Sequence, residues 1–142
     1  MRLMSIQFES FAGYLVLFIM YSLSSFRESL IWRKSMDLTI AVNHTVRDFP
    51  KKERSQKGLY AQLLQSSVRI LLRISESRNP LLDSERDILL RARYHLSETE
   101  FLLDVSHFMG YIDYWERQRL HEYCHDVRVH INKSLNKENL LV

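Results

Sequence analysis

The sequence predicts an all-α protein, an antiparallel up-down bundle of four helices preceded by an extra apolar segment, and three observations point there. Gly and Pro are scarce, three and two in 142 residues, where a β-sandwich needs turn residues every few positions. Apolar residues recur at helical spacing through most of the chain. The breaks between those stretches are short, as they are between antiparallel neighbours in a bundle. With 46% hydrophobic residues the chain has enough apolar side chains for one core at a length typical of a single domain.

Residues 1–25 read as an apolar appendage. Phe11 to Leu23 carries no charge, but thirteen residues fall short of the ~20 that span a bilayer as a helix. A signal-peptide core behind Arg2, a membrane anchor, an additional helix and a start codon placed upstream of the true one, with Met20 as the alternative, are the readings open to it. Glu9 is awkward for a signal peptide. The main domain is expected over 26–137, with 138–142 as a tail.

The first helix is expected from Arg27 to Asp48, with Ile31, Leu38, Val42 and Thr45 on one line and Trp32, Met36 and Ile40 beside it. Phe49-Pro50 ends it, because the residue before proline avoids the α region. A charged linker, Lys51 to Lys57, leads to Gly58 and a second helix reaching about Arg78. That helix has two apolar lines: Leu59, Leu63, Ile70 and Ile74, and Tyr60, Leu64, Val68 and Leu71. Such breadth fits either a deeply buried central helix or a line that faces another subunit.

Asn79-Pro80 breaks the chain again, and Ser84 with Asp87 caps a third helix on the line Ile88, Ala92, Leu96, Thr99 and Leu103. Gly110 stops it. Asp113 with Glu116 then opens a fourth helix on the line Leu120, Cys124, Val127, Ile131 and Leu135.

A single cysteine, Cys124, forms no internal disulfide, so the cytoplasm is the expected compartment and no membrane partner is expected. The net charge is +3, unevenly spread: Arg47 to Arg93 holds eleven Arg or Lys against six Asp or Glu, and Tyr94 to Val142 five against eight. Local fields of this kind steer polyanions.

Ser29 to Leu38 (SLIWRKSMDL), Phe49 to Arg54 (FPKKER), Gly58, Leu59, Gln62 and Leu63 resemble, in order and spacing, the opening of the 23S rRNA-intervening-sequence family. Leu96 to Glu100 (LSETE) and Gly110, Tyr111 and Ile112 resemble its third helix and the following turn. The resemblance covers about Phe26 to Leu135 and implies a four-helix bundle that assembles as a homo-oligomer, a ring-shaped pentamer. Relatives in that family include the accessory variability determinant proteins of diversity-generating retroelements, which present a basic surface beside a reverse transcriptase and its RNA. One departure stands in the second helix: where the family has a Pro, Asn, Ala-Glu-Gly-like run, this chain has Leu71, Arg73 and Ser75-Glu76-Ser77, with only Glu76 retained.

The expected function is therefore non-enzymatic binding of RNA or DNA, with Lys51, Lys52, Arg54, Lys57, Arg69 and Arg73 as the contacting cations and no cofactor. Arg86, Arg91 and Arg93 are candidates to extend that surface. The alternative is a structural oligomer or protein adaptor whose charges only solubilise it. A distant third reading comes from His121-Glu122-Tyr123-Cys124-His125, which fits the zinc-protease pattern of two His at i and i+4 with Glu between. A catalytic zinc requires a third ligand, for which only His107, His130 or Glu138 offer themselves. Trp32, Trp115, Phe101, Phe108, Tyr111 and Tyr114 are candidates for base stacking, against the plainer reading of packing at helix ends.

Overall fold

A computed structural model describes Gly13, Val16, residues 29–77, 81 and 84–140, with side chains up to 137. The appendage over 1–25 and the Asn79-Pro80 break lie, but for Gly13 and Val16, outside the described residues. Four helices carry the fold: α1 (Leu30–Val46), α2 (Leu59–Glu76), α3 (Glu85–Phe108) and α4 (Tyr114–Leu140), with a single 3-10 turn, Lys51–Arg54, between the first two. No strand occurs among the described residues, and no described helix is long and apolar enough to cross a membrane.

The helix boundaries follow from local chemistry. α1 stops at Val46, two residues before the expected end, because the Phe49 N–H bonds the Val46 carbonyl and Phe49 turns inward to become buried. Ser84 caps α3 by accepting the Asp87 N–H at 3.2 Å, and Asp113 caps α4 by accepting the Glu116 N–H at 2.8 Å. Gly110 takes φ +79°. The Tyr111 N–H then reaches the Ser106 carbonyl at 2.9 Å, which closes the α3 terminus as glycine-led stops do. α4 runs on to Leu140, past the boundary at 137.

α2 begins differently, because Gly58 at its N-cap has no side chain to offer. Glu53 substitutes for one: its Oε2 accepts the Leu59 N–H at 3.0 Å from the preceding turn. The backbones of Glu53 and Gly58 come so close that a Cβ on Gly58 would lie 1.9 Å from the Glu53 carbonyl oxygen. Glycine is needed there for space, at an ordinary φ of −77°.

Each helix packs against its chain neighbour, and α4 closes the ring against α1. Cross-helix bonds show the antiparallel sense: on α3 and α4, Arg117 bonds Asp104, Arg128 bonds Glu100 and Arg93 bonds Asn132, one number rising as the other falls. On α1 and α4, Lys34 pairs with Asp126 and Thr45 with Glu116 in the same manner. The four expected apolar lines meet in the middle. Leu38, Val42, Leu63, Ile70, Leu96, Leu103, Leu120, Cys124, Val127 and Ile131 are fully buried, each Leu or Ile contributing about 1.5–3 kcal/mol by leaving water.

The second line of α2 has a different fate. Tyr60, Leu64 and Leu71 are half-buried and Val68 is 49% exposed, as is Leu72. Within one chain α2 is thus not a central helix sheathed on all sides, because its α1-facing flank has only one neighbour to cover it. Buried hydroxyls serve the seams: Thr99 donates to Ser66 at 2.8 Å between α2 and α3, while Ser35 and Ser106 bond carbonyls one turn back on their own helices.

Candidate nucleic-acid interface

The 3-10 turn and the link that follows it present Lys51, Lys52, Arg54 and Lys57 at one end of the bundle, all exposed. The turn is braced by side chains. Besides the Leu59 N–H, Glu53 accepts the Tyr111 hydroxyl at 2.9 Å, and Tyr111 in turn packs on buried Phe49 with ring centroids 5.4 Å apart. Those two hydrogen bonds, the backbone one first, hold the Glu53 carboxyl below its ordinary range, with Lys52 adding to them. Arg54 is partly committed: it donates to the Arg47 carbonyl at 2.9 Å and lies 5.7 Å from the centre of the Tyr60 ring. Lys51, Lys52 and Lys57 make no ion pair among the described residues.

Arg69 and Arg73 stand apart from that cluster. They lie ~15 and ~21 Å along α2 from Leu59 at 1.5 Å per residue, on the flank facing α3, where Ser66 meets Thr99. Arg69 is exposed. Arg73 gives Nη1 to Glu76 at 2.8 Å, the pairing a solvated helix face would make. The six cations therefore form an end cluster and a seam pair rather than one patch. A span of ~21 Å corresponds to about six phosphates along one strand of a duplex at 3.4 Å each. Of the three arginines offered as an extension, Arg93 is turned to α4, where it bonds Asn132 at 3.1 Å.

The zinc-protease pattern is taken apart by the bundle. His121 is turned to α3, its Nε2 2.8 Å from Asp104 Oδ1, which Arg117 also engages at 2.7 Å. Burial alone would raise the Asp104 carboxyl; the bonds from Arg117 and His121 outweigh it and hold the group low. Glu122 and His125 are exposed. Cys124 is fully buried on the core line, and burial pushes its thiol far up. His107 bonds the Ile112 carbonyl at 3.0 Å at the far end of α3. Among the described residues no three His, Cys, Asp or Glu side chains converge on a common point; the Glu138 side chain is outside them.

The aromatic candidates divide. Trp32 and Tyr111 are packed against the core, whereas Phe101, Phe108, Tyr114 and Trp115 are exposed, the last two in edge contact at 5.2 Å. The structure adds Tyr94, 67% exposed, seven residues before Phe101 (65%), which is seven before Phe108 (88%). The heptad spacing of those three places them along one exposed line of α3, a signal readable from sequence. Two residues beside the cations carry no motif that marks them in the sequence: Glu53, inside the FPKKER run, braces the turn, and His95 lies on α3 within the field of Arg69 and Arg73.

Four antiparallel helices around one apolar core, with exposed cations at one end and along one seam, define a compact all-helical bundle domain. Residues 27–133 match the model of the 23S rRNA-intervening sequence protein family, and the chain belongs to that family. Among curated proteins no sequence matches the chain.

Proposed function

We propose that this protein is a non-catalytic, homo-oligomeric four-helix module that binds RNA or DNA through its basic surface. The observation that carries the reading is the exposed set Lys51, Lys52 and Lys57 on a turn braced by Glu53. Cations on a pre-ordered turn meet phosphates without first paying to order the chain, and they bind by releasing counterions. The family name, an intervening sequence of ribosomal RNA, agrees with a nucleic-acid setting. Retention on heparin at low salt, lost steeply toward moderate salt, is the expected result. No retention at low salt overturns the reading.

The pentameric ring and a reverse-transcriptase partner are what the family resemblance implies, and a cytoplasmic location is what the lone Cys124 favours. A solution mass of five chains tests the ring, and a monomer at micromolar concentration overturns it. Co-purification with a reverse transcriptase encoded beside the gene tests the partner.

A second reading, a structural oligomer or protein adaptor, is favoured by one observation. Val68 and Leu72 are about half exposed beside half-buried Leu64 and Leu71 on the α1-facing flank of α2, with half-buried Trp32 and Met36 on α1, an apolar face at the α1/α2 side of the bundle. The two readings are compatible if that face joins subunits and the cations stay outside.

A further inference from the structure

The α2/α3 seam brings three nitrogen-bearing side chains to one level. Ser66 and Thr99 touch across it at 2.8 Å, and the Thr99 hydroxyl also lies 2.9 Å from the His95 carbonyl. Because the two helices run antiparallel, one turn back on α3, at His95, corresponds to one turn forward on α2, at Ile70. Ile70 points into the core. Arg69 and Arg73, on the α3-facing flank, bracket that level.

Two polar atoms at this place are buried and have no hydrogen-bond partner among the described residues: Nε of Arg73 and Nδ1 of His95. Glu76 answers only Nη1 of Arg73. A guanidinium N–H left unmatched is costly, more so than a neutral donor. Arg69, exposed and four residues earlier, adds a second guanidinium with no ion pair among the described residues.

We propose that Arg69, Arg73 and His95 form a subsite for one phosphate group of a bound nucleic-acid strand. This deepens the nucleic-acid reading and rests on it. Phosphate oxygens accept first from the exposed Arg69 fork, and a side-chain shift that opens the seam then offers them Arg73 Nε and, once the ring is protonated, His95 Nδ1. In the protein alone the imidazole is biased toward its neutral form. Burial lowers its pKa from the ordinary value, Arg69 and Arg73 lower it further, and Glu98 opposes them. A phosphate placed against both guanidiniums reverses that repulsion, so binding raises the His95 pKa and takes up a proton. Affinity therefore rises as pH falls through the bound-state pKa, and levels off below the free-state one.

The test compares the wild-type protein and His95→Gln for binding of a labelled single-stranded RNA at fixed low salt, from about pH 8 to about pH 5.5, the range in which imidazoles titrate. The wild type is expected to gain about three- to tenfold more affinity than the variant over that range, half to one pKa unit of coupling. The five other histidines contribute equally to both proteins, so the difference isolates His95. Arg69→Gln weakens binding at every pH. Equal gains by wild type and His95→Gln overturn the subsite. A second measurement needs no variant to fold: the His95 ring resonances of the wild type are followed as inorganic phosphate is added, and a ring that does not respond also overturns it. A ring that responds in a protein binding no RNA at any pH assigns the site to free phosphate and sinks the nucleic-acid source.

Discussion

The Tyr111 hydroxyl donates to Glu53 at 2.9 Å, tying the turn after α3 to the turn before α2 across fifty-eight positions of sequence. The same carboxylate caps α2 through the Leu59 N–H, so one side chain fixes the end of the bundle that carries the lysines.

Replacing that carboxylate has a pH signature. Glu53 is held below its ordinary pKa in the folded chain, so its contribution is present above the unfolded value of about 4.3 and disappears as pH falls through the folded one. Glu53→Gln should lower the melting temperature at neutral pH, and the gap from wild type should close in acid. Thermal unfolding followed by circular dichroism at a series of pH values checks this. A gap that stays constant across the whole acid range contradicts it.

Gly58 is tested by adding one carbon. In Gly58→Ala the new Cβ meets the Glu53 backbone at 1.9 Å, and backbone yields less readily than the tip of a side chain. Forced overpacking of this kind costs about 1–3 kcal/mol. Urea unfolding should show the midpoint fall with little change in slope. An unchanged midpoint means the turn opens at no cost.

The fold was legible because each level of the sequence agreed with the next. Four helical lines, a Pro-led break and the caps Ser84, Asp113 and Gly110 appear as read. The features the sequence leaves open are those that depend on partners distant in sequence. Nothing in the run FPKKER tells that Glu53 will find Tyr111, and the width of the α2 apolar surface does not say how much of it α1 covers. Periodicity locates a face, whereas its burial depends on how many neighbours arrive.

That difference predicts opposite behaviour for two lines on adjacent helices. Leu96→Ala empties a fully buried site and should cost about 2–5 kcal/mol. Val68→Ser alters a residue 49% exposed and should change single-chain stability by no more than about 0.5 kcal/mol. If the α1/α2 face joins subunits, Val68→Ser should instead lower the solution mass. Denaturation paired with sedimentation separates the two, and a Val68→Ser protein as unstable as Leu96→Ala would show that the line is core after all.

Much less of the candidate site could be read. The lysines were identified as exposed cations by composition alone, which needs no long-range knowledge. The division of six cations into an end cluster and a seam pair depends on rise along α2, and the partners of Arg73 and Arg54 on rotamers. The histidine pattern shows the same limit of spacing. Spacing shows that His121 and His125 share a helical face, but not that Asp104 of α3 takes the Nε2 of His121. Equilibrating the protein with zinc should therefore leave no stoichiometric metal after gel filtration. One zinc per chain, lost in His121→Ala, would revive the hydrolase reading.

The end cluster makes a quantitative prediction about salt. Lys51, Lys52 and Lys57 are exposed and without ion pairs among the described residues, while Arg54 is anchored to the Arg47 carbonyl. For a single strand each phosphate contact contributes about 0.7 to the slope of log affinity against log salt. Changing all three lysines to Gln should reduce that slope by about 2 and weaken binding most at low salt, with the fold intact because none of the three supports the core. Arg73→Gln removes a guanidinium already shared with Glu76 and should move the slope less than Arg69→Gln. Fluorescence anisotropy over a salt series measures all of these. If the triple variant keeps the wild-type slope, the turn is a solvated surface, and the phosphate contacts lie elsewhere on the bundle.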